Sequence, residues 1–270
     1  MTTAVADPAA VWRIVDGHAT YWAVAAALQS GVLDDPSAVR DERLAPVVDV
    51  LVHAGVLDDD HRRTPLGDLV VAMRGVVLGS PGVQENWLGL AGVLGGAEPP
   101  RPVDDDPGFR TALARATFPI QHELATRIAA RLALPPDAEV VDVAVEPAPW
   151  AAAFGATVVA PDAPLPEADV VVLAHVCREG DARSRIADAV AAARTHVIVA
   201  DYFTDAGDPD RARRAAVLGL TMLANTRTGT ARPAAAYERW LTEAGAAAVE
   251  LVDGTPAPHD VLIARTREAA

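Results

Sequence analysis

Few side chains in this sequence can do chemistry, and each can be placed in turn. Cys177 is the only cysteine, so neither an intramolecular disulfide nor a cysteine-based zinc cluster can form. A lone cysteine with no activating group beside it in sequence is more often inert packing than a nucleophile. His175 stands two residues earlier and points to the same side of an extended segment, which keeps an acid–base role open for that pair. Arg178 adds a fixed cation that could polarise a carbonyl or an enolate. Asp201 closes a later apolar run, where it either moves a proton or pairs with Arg178 across neighbouring strand ends. Phe118 and His122, four residues apart, share one face of a helix. The seven histidines show no H-x-x-x-H spacing, so no metal site is expected. All 23 basic residues are arginine, and with no lysine in the chain a side-chain Schiff base is ruled out.

These groups must be held by a folded scaffold. At 270 residues and 51% hydrophobic content the chain is long and apolar enough for a core, in two domains. No apolar run spans a bilayer, and the first ten residues lack a basic start, so the expectation is a cytoplasmic protein with no membrane partner. The net charge of -14 repels phosphate backbones and argues against nucleic acid.

The first part reads as helical: residues 8–29, then an acidic start at Asp41 running to a stop at Gly55, a polar turn at residues 58–63, and Thr64-Pro65 opening a further helix. Helix, hairpin and helix in that order describe a winged-helix module. Its groove-facing helix would carry Asp41, Glu42 and Asp49 against Arg43, the wrong charge for DNA, so a dimerisation platform is expected. A proline- and acid-rich break at residues 98–107 precedes a long helix from Phe109 to Leu134. Short β-branched runs follow at 139–143, 156–160, 169–173 and 196–201, with a helix at 183–194 and a closing hairpin around 250–264. This is the pattern of buried parallel strands in an α/β sheet, whose ligands sit at the carboxyl ends.

In order along the chain, the segments GHATYWAVAAALQSGVLD, LAPVVDVLVHAGVLDDDHRRTPLGDLV, VVDVAVEPAPWAAAF, PLPEADVVVLAHV, HVIVADYF and YERWLTEAGA resemble the S-adenosylmethionine-dependent O-methyltransferases of natural-product pathways. The resemblance implies an α/β protein: a helical winged-helix dimerisation domain over 1–98, a linker and pocket-lining helix over 99–136, and a truncated Rossmann-like domain over 137–270. It also implies a homodimer acting on a small molecule, with Tyr21 and Trp22 approaching the partner's cavity. Carried over by position, Arg178 takes the place of the family's base histidine, and Asp201 an acidic place on the next strand. Trp87, Phe118, Met222, Asn225 and Cys177 fall at the substrate cavity.

The departures from the family are specific. Its glycine-rich turn, D-x-G-G-G-x-G, is here Asp142-Val143-Ala144-Val145-Glu146-Pro147-Ala148, with every glycine replaced. Glycine lets the backbone approach a cofactor closely. Val145 adds bulk there and Glu146 adds negative charge. About one strand–helix unit, on the order of 30 residues, is missing before Asp162, and the segment 36–39 is short for the usual middle helix of the winged fold. These losses lead to the expectation of no cofactor. The reading they favour is a cofactor-free cyclisation, rearrangement or proton transfer, with Arg178, Asp201, His122 and His175 catalytic. A working methyltransferase with an atypical S-adenosylmethionine site and a catalytically dead scaffold are the alternatives.

Overall fold

The computed structural model describes residues 8–35, 44–78, 81–178, 180–205, 207–255 and 257–266. Residues 36–39, the helix start at Asp41, Glu42 and Arg43, and the first seven residues lie outside these. The contacts divide the chain into two compact units, Met1–Gly79 and Ser80–Ala270.

In the first unit, α1 (Pro8–Ser30), α2 (Ala45–His53), α3 (Pro65–Ala72) and α4 (Arg74–Leu78) are joined by a small wing in which Leu57 bridges Arg63 antiparallel. Thr64 caps α3 by accepting from the Gly67 amide, with Pro65 at the first helical position, where a missing N–H costs nothing. Val24, Leu28, Leu33, Val48, Leu51 and Leu57 form its core.

The second unit opens with α5 (Pro81–Leu88), α6 (Leu90–Leu94) and α7 (Pro107–Leu132). Asp106 caps α7 by accepting from the Gly108 and Phe109 amides. The rest runs β1 (Val140–Val143), α8 (Pro149–Phe154), β2 (Thr157–Val159), β3 (Ala168–Ala174), α9 (Ala182–Ala192), β4 (Ala193–Asp201), α10 (Pro209–Asn225), α11 (Ala234–Glu243), β5 (Ala248–Val252) and β6 (Asp260–Arg265). The sheet order is β2-β1-β3-β4-β6-β5. The first four strands are parallel and β6 is antiparallel to both β4 and β5.

Strand periodicity assigns the two faces. Val171, Leu173, Val197 and Val199 pack against α9 and α11, while Val170, Val172, Ile198 and Ala200 pack against α7 and Trp150 of α8. Burial on both sides explains why the strands read as continuous apolar runs. β4 begins at Ala193, earlier than the apolar run suggested. Arg194 and Thr195 can extend it because Asp169 takes the Arg194 guanidinium at 2.9 Å and its carbonyl accepts from the Thr195 hydroxyl at 2.7 Å. Among the described residues no helix is long and apolar enough to cross a membrane.

Candidate active site

Of the chemistry-bearing residues of the second unit, His175, Arg178 and Asp201 meet at the carboxyl ends of β3 and β4. β3 ends at Ala174, and the His175 amide continues its ladder by donating to the Ala200 carbonyl. His175 then turns into the left-handed region at φ +60°, a conformation a non-glycine residue holds only when its surroundings over-determine it. That turn aims both His175 and Arg178 at the end of β4.

There the Arg178 Nε donates to Asp201 Oδ1 at 2.6 Å, with the arginine side chain 11% and the aspartate 3% exposed. Asp201 also accepts from the Tyr202 amide at 2.8 Å and the Tyr237 hydroxyl at 3.2 Å, and the Arg178 guanidinium lies over the Tyr202 ring. Burial pushes the Asp201 carboxyl up, but Arg178 and His175 outweigh it and hold it below the usual carboxylate range. The segment after α10 locks this turn in place: Arg232 donates to the Cys177 carbonyl at 2.8 Å and the Thr230 amide to that of Arg178 at 3.0 Å.

His175 lies between two sets of partners. The Gln121 amide group from α7 faces its Nε2 at 2.6 Å, and the Trp150 indole faces Gln121 Oε1 at 3.3 Å. An indole N–H only donates, so Gln121 turns its oxygen to Trp150 and its NH2 to His175. Nε2 therefore faces a donor in Gln121, while Nδ1 lies 3.6 Å from the Asp201 Oδ1 acceptor. Arg178 Nη2, which only donates, also abuts Nδ1, so that nitrogen faces a donor and an acceptor at once. Burial, then the Arg178 cation, push the imidazole down to about 4, so it is neutral at physiological pH.

The other expected site residues are placed differently. Cys177 is 1% exposed and packs in the core with α9 and α11, where burial and then Asp201 push its thiol up to about 12. The His122 Nδ1 donates to the Pro149 carbonyl at 3.1 Å and its ring stacks on Phe118, so it ties α7 to the start of α8. Asn225 is buried and accepts from Asn86 at 3.0 Å. Met222 lies against Gly229, and Trp87 is partly exposed on α5. Sequence reasoning missed Gln121, Trp150, Tyr202, Tyr237 and His259. No motif marks them, because each joins the site from a separate element.

At the end of β1, Asp142 is buried. Its Oδ2 accepts from the Ala151 amide at 2.9 Å, while Oδ1 has no partner among the described residues. Burial, opposed by that amide, raises its carboxyl to about 7. The turn beyond it satisfies itself: the Ala144 amide donates to Val159, and the Glu146 carboxylate turns back to accept from the Ala148 amide at 3.2 Å. Val145 is half-buried and Asp162 exposed. An unpartnered carboxylate oxygen suits an ammonium group, and the charge of Glu146, which helps to raise Asp142, adds to the negative field there.

No family model matches the sequence, and no curated protein matches it. Solved structures do match its shape. A Nostoc punctiforme protein assigned as an O-methyltransferase superposes with a TM-score of 0.79 at 17% identity, covering 97% of this chain and 100% of its own. The chain has the two-domain O-methyltransferase fold. Calicheamicin-pathway methyltransferase CalO1, solved with S-adenosylhomocysteine, matches at TM-score 0.71 and 19% identity over 96% of this chain and 99% of its own. Human N-acetylserotonin methyltransferase, solved with S-adenosylmethionine, matches at 0.65 and 15% over 99% and 100%. These likenesses correct the expectation of no cofactor. That expectation rested on the replaced glycines, the added Glu146 and the missing strand–helix unit, whereas solved proteins that share this fold hold S-adenosylhomocysteine or S-adenosylmethionine.

Proposed function

We propose that the chain is an S-adenosylmethionine-dependent O-methyltransferase acting on a small molecule, with an atypical cofactor site. The observation that carries this reading is the buried Asp142 carboxylate with its unpartnered Oδ1, at the end of β1 in a fold shared with cofactor-bound methyltransferases. Asp142 would hold the ammonium end of S-adenosylmethionine, whose sulfonium methyl supplies the electrophile. Trp150, 1% exposed on α8, walls the same end of the sheet. His175 accepts the proton of the substrate hydroxyl at Nε2, in place of the Gln121 NH2 that occupies it at rest. Asp201 faces the opposite edge of the ring and offsets the positive charge that results. Arg178 takes no proton; it keeps Asp201 ionised.

Calorimetric titration of the purified chain is expected to give micromolar S-adenosylmethionine binding, and neither binding nor methyl transfer to any hydroxylated acceptor would overturn the reading. The Asp142→Asn variant separates the two roles of that carboxyl. A carboxyl raised from 3.8 to about 7 stabilises the fold fully below pH 4 and loses that contribution as pH rises through about 7. Carrying the charge at pH 8 costs roughly 4 kcal/mol, so Asp142→Asn should melt higher than wild type at pH 8 and not at pH 4. The same substitution should weaken S-adenosylmethionine binding by at least about tenfold.

We also propose a homodimer through the first unit, where α1 exposes Tyr21 and Trp22 and α3 exposes Leu66 and Leu69. Light scattering at micromolar concentration should give twice the chain mass, and Trp22→Glu should shift it toward monomer. Duplex DNA should give no salt-sensitive shift.

A further inference from the structure

We infer that His259 is a positioning residue for His175: carried on the β5–β6 hairpin loop, its ring packs edge-on against the His175 imidazole and holds it where it can accept a proton. This rests on the methyltransferase reading only for the consequence in turnover; the packing itself can be read independently.

Three observations converge. First, the β4–β6 register pairs Asp201 with Asp260, which sets His259 just past the carboxyl end of β4. Its ring centroid lies 4.5 Å from that of His175 at 74°, and Tyr202 completes a triangle at 5.3 Å from His259 and 5.8 Å from His175. Edge-to-face packing of this kind is directional. Second, His175 needs holding. Its backbone is in the left-handed region, and Gln121 and Arg178 reach only the two nitrogens at the ring's rim. Neither resists a tilt of the ring plane; a second ring does. Third, His259 is 1% exposed and neither of its nitrogens has a partner among the described residues. Burial, then His175 and Arg178, push it well below the ordinary histidine range, so it is a neutral plate rather than a charge.

The loop that presents His259 is built to be rigid. Arg211, in the first turn of α10, donates to Asp253 Oδ1 at 2.6 Å and also binds Thr255 and Asp260. The Gly254 amide donates to Asp260 at 3.0 Å. A Cβ on Gly254 would fall 1.7 Å from the His259 carbonyl oxygen, so only glycine lets the loop close over His259.

The ionisable groups facing His175 are Arg178 from its own turn, Asp201 and Tyr202 from the end of β4, and His259 from the hairpin; Arg211 acts on His259 from α10. Removing the His259 ring admits water to His175, and less desolvation lets its proton affinity rise toward that of a free histidine.

The test compares His259→Ala, His259→Phe and Gly254→Ala in the full chain. In His259→Ala, kcat should fall by about tenfold or more with KM for S-adenosylmethionine unchanged. The acid limb of the pH profile should move up from near 4 toward 6.5. Gly254→Ala should show the same defect without touching either ring. His259→Phe keeps the edge contact and sheds the unpartnered nitrogens, so it should keep the wild-type kcat and profile and melt higher. An NMR titration of the His175 imidazole reads the same displacement without turnover. If wild type transfers no methyl group, the methyltransferase reading fails and this titration still decides the positioning role. An unshifted His175 titration in His259→Ala, or a His259→Phe variant as impaired as His259→Ala, would overturn the inference.

Discussion

Replacing His175 with glutamine is expected to lower the turnover of methyl transfer by about 10²–10⁴-fold, the usual worth of a positioned proton acceptor. Glutamine keeps a hydrogen-bonding group of similar reach but cannot take the proton at neutral pH. S-adenosylmethionine binding should be unchanged, because His175 lies at the ends of β3 and β4, whereas Asp142 ends β1. Wild-type kcat at saturating S-adenosylmethionine should stay flat as pH falls from 8 and drop only on approach to about 4, because burial and Arg178 keep the imidazole unprotonated until then, while protonation of Asp142 near 7 acts on KM for S-adenosylmethionine instead. A wild-type kcat profile that falls through pH 6–7, or a His175→Gln variant with unimpaired turnover, would remove His175 from the mechanism.

The largest effect on stability is expected from Asp201→Asn. The Arg178–Asp201 pair is almost wholly buried, and removing one partner of such a pair leaves the other charge desolvated and uncompensated, at a cost of about 3–5 kcal/mol. For a chain of this size that lowers the melting temperature by roughly 10 °C. Because Arg178 is 11% exposed and anchored to Asp201, its removal is a structural event as well as a chemical one. Arg178→Met makes the complementary measurement. It leaves the Asp201 carboxylate facing His175 without the repelling guanidinium, so His175 becomes easier to protonate and can replace the lost cation.

The sign of the pH dependence follows. In wild type, His175 and His259 are held below their unfolded-state value, so the stability they contribute is complete above about pH 6.5 and is lost as pH falls. In Arg178→Met the His175 part of this trend reverses, and the deficit against wild type should shrink between about pH 7 and 5. Thermal melts across that range decide it. A deficit independent of pH would mean that His175 does not exchange partners with Arg178.

The sequence by itself determined the class of fold and the direction in which the site opens. Continuous β-branched runs such as Val170–Val172 can be satisfied only by burial on both faces, and the acids closing the runs at Asp142 and Asp201 fall at the carboxyl ends where this sheet places ligands. The sequence also displayed the substituted turn from Ala144 to Ala148. It could not say that Glu146 folds back on the Ala148 amide while Asp142 keeps an oxygen without a partner, because hydrogen-bond satisfaction is settled by neighbours in space. Only the tertiary structure brought His175 into reach of Gln121, Arg178, Asp201 and His259. These residues come from α7, the β3 and β4 ends and the β5–β6 loop, as many as 138 positions apart in the chain, counting from Gln121 to His259. The nearest sequence signal was the pair His175 and Cys177, whose spacing suggested a shared role. The left-handed turn at His175 separates them instead, sending the histidine to the site and the cysteine into the core. A local pattern records the period of a strand, and one residue's departure from that period is decided by packing that the pattern does not contain.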